Sequence, residues 1–332
     1  MDNNLQDFFD LYNDIQFREE SFNFLTCIVE EQVEKNGTNN LNADEAIVTL
    51  KKKISNWEDI KFAFLLCHSC YIPDHYPETG SEETLFSKLI EYLIYEWGVR
   101  LGYTSILQKE KSTKEDVTFF NNNDVIVCDA KSNRLGRSQK SPNVKDVMKT
   151  SEYQTWINQY ESKNKVGGFA TFPSLLEWSK GSEVHTYLTD KSNPIMLLYN
   201  EYIAFMLLKK KQNSTLIFDI LKKYPSLFPV KITDKKEAKE KYQSMVVQQL
   251  KSIDNENQFE QYLAVVKKIQ TQFVQFSVMR LENIIRKNMT AAEEKINSLS
   301  NNELIEMAKK LEVDKANKEY IRILKNIRKF RL

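Results

Sequence analysis

Glycine is scarce in this 332-residue sequence, at 8, and proline is scarcer still, at 7. Long helices with few tight turns follow from that. No GxGxxG or GxxxxGKS/T pattern occurs, which excludes the glycine-rich loops that cradle nucleotide phosphates. Cysteine is limited to 4, too few in so long a chain for a disulfide scaffold, so a reducing cytoplasm is the simplest setting. Neither sign of charge dominates, because 47 Lys and Arg nearly cancel 46 Asp and Glu. A chain-wide polycation is therefore excluded, and any polyanion-binding surface must be a local patch. The opening MDNNLQDFFDLYND is acidic and lacks the basic-then-apolar layout of a signal peptide. The longest apolar run, IMLLYNEYIAFMLL at 195–208, is broken by Asn200 and Glu201. It is too short to span a bilayer and reads as a buried helix.

What is present is enough hydrophobic residue, 41%, for a globular core. Across residues 1–66, apolar clusters recur at helical spacing, as in Phe8, Phe9, Tyr12 and Ile15. CYIPDHYPETGSE at 70–82 carries two prolines and a glycine, which marks a boundary. ETLFSKLIEYLIYEWGVR at 83–100 is an amphipathic helix, with Ser81 as its expected N-cap. Residues 116–120 and 124–130 predict two strands joined by the Asn-rich turn 121–123, and VGGFATF at 166–172 fits a third. From about 195 onward the chain reads as helix, most clearly over 259–287, and it ends in a basic tail. The expected class is α/β, a small mixed sheet embedded in many helices. The expected division is an N-terminal helical region (1–80), a sheet-bearing core (81–195) and a C-terminal helical region (196–332).

The stretch that carries chemistry is NNNDVIVCDAKSNRLGR, residues 121–137. If 124–131 is a strand, alternation puts Val125, Val127, Asp129 and Lys131 on one face. A hairpin across 121–123 brings Asp116 to the same end. Two carboxylates and a lysine there suit metal-assisted phosphodiester hydrolysis. Mg²⁺ takes hard oxygen ligands, usually one or two carboxylates plus waters and substrate phosphate, and the carbonyl of Ala130 can add another. The metal acidifies water and offsets phosphate charge, while the lysine orients the water, accepts its proton or favours the transition-state charge. Asp/Glu-x-Lys recurs at Glu161–Lys163, Asp234–Lys236, Glu237–Lys239 and Glu293–Lys295. Those copies lie in polar segments, where a solvated charged face is the ordinary reading. Only Asp129–Lys131 ends an apolar strand-like run.

VIVCDAKSNRLGRS, with EDV some dozen residues before it and ETLFSKL upstream, resembles the HindIII family of type II restriction endonucleases, within the PD-(D/E)XK nuclease superfamily. The resemblance runs from about Glu83 to Pro173. It implies a nuclease core whose metal-binding acids are Asp116 and Asp129 and whose catalytic lysine is Lys131. It also makes Glu83 the candidate outer acid that orients water at the metal, with Glu91 a rival and Glu110 a weaker one. Lys114–Glu115 stands where the family has small residues, so Glu115 is a candidate to share the role of Asp116. The implied activity is Mg²⁺-dependent cutting of duplex DNA at a short palindrome, leaving 5′-phosphates. A homodimer and a cognate DNA methyltransferase are the implied partners, and AAGCTT is the family's best-known target. The loop after Lys131 supplies Asn133, Arg134, Arg137, Gln139, Lys140, Asn143 and Lys145, side-chain types that contact phosphates or base edges.

Other readings have less in their favour. Cys67, Cys70 and His75, with His68, are a possible zinc set, but no second ligand pair follows, and buried thiols after KFAFLL are the better reading. Cys128 falls on the strand face opposite Asp129 and is expected in the core. Two alternatives to a restriction enzyme stay open. One is a repair or recombination nuclease of the same superfamily, which reads DNA structure. The other is a non-enzymatic helical DNA-binding protein in which Asp116, Asp129 and Lys131 form a structural ion pair.

Overall fold

The structure, a computed structural model, describes residues 3–108, 114–136, 142–178 and 182–328. Helices α1 (Asn3–Asn13), α2 (Ile15–Asn36), α3 (Ala43–Ile54) and α4 (Asp59–Leu66) come first. Strand β1 (Tyr71–Ile72) and helix α5 (Ser81–Leu101) lead into β2 (Thr104–Leu107), β3 (Val117–Asn121) and β4 (Asp124–Ala130). Next come β5 (Asn133–Arg134), α6 (Val144–Val147), α7 (Thr150–Asn158), β6 (Asn164–Phe172), α8 (Val184–Leu188), β7 (Ile195–Tyr199) and α9 (Asn200–Leu208). Helices α10 (Leu216–Leu227), α11 (Lys235–Ser252), α12 (Phe259–Asn297) and α13 (Asn301–Arg328) complete the chain. By contacts the chain forms two compact units, Met1–Ser277 and Val278–Leu332. Segments 1–80 and 81–195, with 196–277, lie together in the first. No helix among the described residues is long and apolar enough to cross a membrane.

The main sheet has the order β2-β3-β4-β6-β7. The pairs β2–β3 and β3–β4 are antiparallel, while β4–β6 and β6–β7 are parallel. The β3–β4 hairpin turns at Asn122, whose φ of +56° is a left-handed conformation that asparagine tolerates. Val117 pairs with Cys128, so the start of β3 meets the carboxyl end of β4.

Helices α5 and α7 cover opposite faces of the sheet. Trp97 of α5 packs edge-on against Phe119 and Phe169. Gly98 is what lets α5 approach, since a Cβ there would collide with the Phe119 ring. From the other face, Tyr160, just beyond α7, packs against Phe120. Phe119 and Phe120 are sequence neighbours, so they must face opposite ways.

Three sequence expectations need correction. Helix α5 begins at Ser81 with Gly80 as its N-cap and no side-chain cap bond. The carboxylate of Glu83 instead accepts from the backbone N–H of Thr79 at 2.7 Å. The run 195–208 is strand β7 followed by helix α9, not one helix. All five residues of β7 are buried, so its hydrophobicity is continuous, and a short continuous run does not distinguish a doubly covered parallel strand from a buried helix. The short strands β1, β2 and β5 were not expected at all.

Breaking at Asn200 puts Glu201 at the start of α9, fully inside the protein. Its carboxylate accepts from Leu175 N (3.1 Å), Ser174 Oγ (3.2 Å) and Gln270 Nε2 (3.4 Å). Burial outweighs these bonds and pushes the carboxyl up to about 7 from 4.5. The favourable contribution of this acid is therefore complete below about pH 4.5 and lost as pH rises through 7, a difference of about 3 kcal/mol. Glu201→Gln should be more stable than wild type by up to that amount in urea unfolding at pH 8, and close to it at pH 4.5. A stability difference that does not change with pH would contradict this.

Candidate active site

The carboxyl end of β4 brings together Asp116, Asp129 and Lys131. Asp116 sits just before β3. Its Oδ2 accepts the Ala130 N–H at 2.8 Å, which ties the two strand ends together. Asp129 is the last inward residue of β4 and is buried. Its Oδ2 receives Lys131 Nζ at 2.7 Å. Lys131 has left the strand ladder, but its N–H still bonds the carbonyl of Thr171 on β6 at 3.3 Å. The lysine is thus anchored by its backbone as well as by its charge.

The electrostatics follow from this crowding. Asp116 is pushed well above the ordinary carboxylate range by burial and by the charges of Glu91 and Asp129, and the Ala130 N–H opposes that only in part. Burial pulls the Lys131 ammonium down, but the charge and hydrogen bond of Asp129, with the charge of Asp116, outweigh it and hold the group above its usual value. Lys131 therefore keeps its proton at neutral pH.

Helix α5 lines the same site with one stripe, residues i, i+4 and i+8. Glu83 pairs with Arg134 Nη2 at 2.7 Å. Ser87 Oγ lies 3.2 Å from Ser132 Oγ. Glu91 is buried, pairs with Lys88 and is close enough for its charge to act on Asp116. The helix therefore runs antiparallel to the segment 129–134. It brings Glu91 to the carboxylates and carries Glu83 to the far end of the loop. Glu110 lies outside the described residues. Glu115 is not gathered here. It is buried in its own cluster, bonded to Thr118 and to Tyr160 Oη at 2.5 Å.

The loop after Lys131 is more structured than its polarity suggests. β5 pairs in parallel with β1, Asn133 opposite Tyr71 and Arg134 opposite Ile72. Asn133 Nδ2 donates to Glu177 Oε2 at 3.2 Å. Arg134 donates to the carbonyls of Tyr76 and Pro77 as well as to Glu83. Both side chains thus have hydrogen-bond partners within the protein. Asn143 is exposed just before α6, and Lys145 lies within α6. Arg137, Gln139 and Lys140 fall outside the described residues.

Three of the four cysteines serve the core, and Cys27 on α2 is exposed. Cys67 and Cys70 are buried, against Tyr262 and Asn200 respectively, and His68 Nε2 lies 2.9 Å from Ser21 Oγ. Cys128 is buried as expected from its strand face.

The family described as HindIII restriction endonuclease matches residues 29–325, most of the chain. The chain belongs to the HindIII family. No curated protein matches it. The family match reaches well beyond residues 83–173, which carry the recognisable motifs, and takes in the flanking helices. Membership makes the chain a nuclease with DNA as its substrate, and gives the sheet its place as a restriction-endonuclease core.

HindIII-family membership raises the question of a divalent metal. Among the described residues, no three His, Cys, Asp or Glu side chains form a ready-made cage. Mg²⁺ does not need one, since it keeps several waters and binds through one or two carboxylates. Asp116 and Asp129 supply hard oxygens, and the burial and the neighbouring charges of Glu91 and Asp129 that raise Asp116 are what a bound cation would offset. The donor set fits. Sequence reasoning missed Lys88 and Tyr153. Lys88 was legible in principle, three residues before Glu91 on the same helix. Tyr153, whose hydroxyl lies 3.4 Å from Asp129 Oδ2, reaches the site only through the packing of α7.

Proposed function

We propose that this protein is a Mg²⁺-dependent type II restriction endonuclease that cuts duplex DNA at a short palindrome by direct attack of water on phosphorus, leaving 5′-phosphates. The observation that carries this reading is the joined strand end: Asp116 held on the Ala130 N–H at 2.8 Å, with Asp129 and Lys131 paired at 2.7 Å beside it. Asp116, Asp129 and the Ala130 carbonyl would hold Mg²⁺, which supplies charge neutralisation at the scissile phosphate and acidifies water there. Lys131, held against Asp129 at 2.7 Å, would place a positive charge where negative charge builds on the phosphate. Glu91 is the additional acid in preference to Glu83, because its charge reaches Asp116 while Glu83 lies at the far end of the loop; each has a cationic partner, Lys88 and Arg134.

Arg137, Gln139, Lys140, Asn143 and Lys145 are assigned to phosphates and base edges. Asn133 and Arg134 shape the start of that loop through Glu177 and Glu83. A two-fold homodimer suits a palindrome. Exposed Val278, Ile285, Met289 and Ile296, one stripe of α12, are a face for a second copy. Residues 81–195 are assigned the chemistry, with 1–80 and 196–332 as its helical support and assembly regions. The cytoplasm, beside a methyltransferase that protects the same site, is the proposed setting.

Digestion of phage DNA with Mg²⁺ tests this reading. Discrete fragments whose sequenced ends share one palindrome and carry 5′-phosphates are expected, with AAGCTT the first sequence to examine. A smear without common ends would move the assignment to a structure-reading nuclease of the same superfamily.

A further inference from the structure

Tyr153 lies beside the carboxylates, outside the set assigned to metal and phosphate. It lies on α7, is buried, and is held from three sides. Its ring lies against β6 at Gly168, where an added Cβ would come within 2.7 Å of Cδ1 and within 2.9 Å of Val127 Cγ2. Trp156 packs on its outer side, with ring centroids 5.0 Å apart. The cradle accepts an aromatic ring and needs no hydroxyl to be filled. A buried phenol usually takes a hydrogen-bond partner, and this one lies 3.4 Å from Asp129 Oδ2. The same oxygen receives Lys131 Nζ from the segment after β4.

We infer that Tyr153 is a positioning residue for Asp129, an inference that rests on the metal-dependent nuclease reading above. Two donors on Oδ2, one from α7 and one from Lys131, fix the terminal torsion of the carboxylate and so fix Oδ1. Lys131 alone does this poorly, since its side chain is long and partly exposed, whereas the phenol is rigid and its ring is locked by Gly168. Groups that hold a ligating side chain in this way typically change metal affinity or activity by about 10–100-fold when removed. Gly168 serves the same end, since a Cβ there would come within 2.7 Å of the ring and push it away from the sheet.

The test is Tyr153→Phe, which keeps the ring in its cradle and removes only the hydroxyl. Calorimetric titration of the DNA-free protein with Mg²⁺ should show about tenfold weaker binding. Cutting should need a correspondingly higher Mg²⁺ concentration, with kcat lowered and KM for DNA unchanged. Tyr153→Ala, in contrast, removes the ring and should lower thermal stability as well. If Tyr153→Phe matches wild type in Mg²⁺ binding and in kcat while Tyr153→Ala alone is impaired, the residue merely fills space and the inference fails. Failure of the nuclease reading itself would be seen in the wild type, as no Mg²⁺ binding and no cutting, and would remove this inference with it.

Discussion

Lys131→Ala is expected to lower the cutting rate at least 10²-fold while the protein stays folded and still binds DNA. The side chain is one preorganised positive charge beside the place where negative charge develops, and removing a single such group commonly has an effect of that size on kcat. Its effect on stability is a separate quantity. The pair with Asp129 is partly exposed on the lysine side, 28%, while Asp129 is buried, so the loss lies between the roughly 1 kcal/mol of an exposed pair and the roughly 3 kcal/mol of a buried one. The two scales separate the enzyme from a structural ion pair. A structural pair predicts a loss of thermal stability and unchanged function. Single-turnover cutting, measured beside a melting curve of the same preparation, reads both.

The second large effect distinguishes the two glutamates of α5. Glu91→Gln should reduce cutting by about 10–100-fold, because it removes the outer acid that supports the Asp116 and Asp129 carboxylates at the metal. It should also move the acid limb of the remaining activity to lower pH. Asp116 is held up in part by the Glu91 charge. Without that charge its carboxyl loses its proton at lower pH, and the ionised form needed at the site persists further into acid. Glu83→Gln should behave differently. It loosens the pairs with Arg134 and the Thr79 N–H, which is a matter of about 1 kcal/mol of stability, and should change the rate less than tenfold. A pH–rate profile for each variant is the measurement. A larger loss of rate in Glu83→Gln than in Glu91→Gln would reverse the assignment.

Much of this was legible before any coordinates. The turn at 121–123, the apolar run 125–128 and the strand-terminal Asp129 and Lys131 are local features, and a short continuous apolar run bounded by turn residues and rich in β-branched side chains reads as a strand. The hairpin follows, and with it the approach of Asp116. The choice between Glu83 and Glu91 was not legible. Both lie on one face of one helix, two turns apart, and which of them meets the carboxylates depends on how far α5 slides along β4. That is set by Gly98 against Phe119 and by Trp97 against Phe169, which are tertiary contacts. The same limit hid β7, whose residues are buried on both faces, and β1–β5, two short strands that pair only because the chain folds back. Asn133 and Arg134 read from their types alone as candidates for phosphate or base-edge contact. Their partners Glu177 and Glu83 are distant in sequence, and nothing local announces either pair.

The most direct test of the central claim is cleavage of supercoiled plasmid and phage DNA by the purified protein, with Mg²⁺ and with EDTA, beside Asp129→Ala. Discrete bands that require both Mg²⁺ and Asp129 are the expected result. Cutting that persists in EDTA or in Asp129→Ala, or no cutting of unmethylated DNA under any condition, would contradict it.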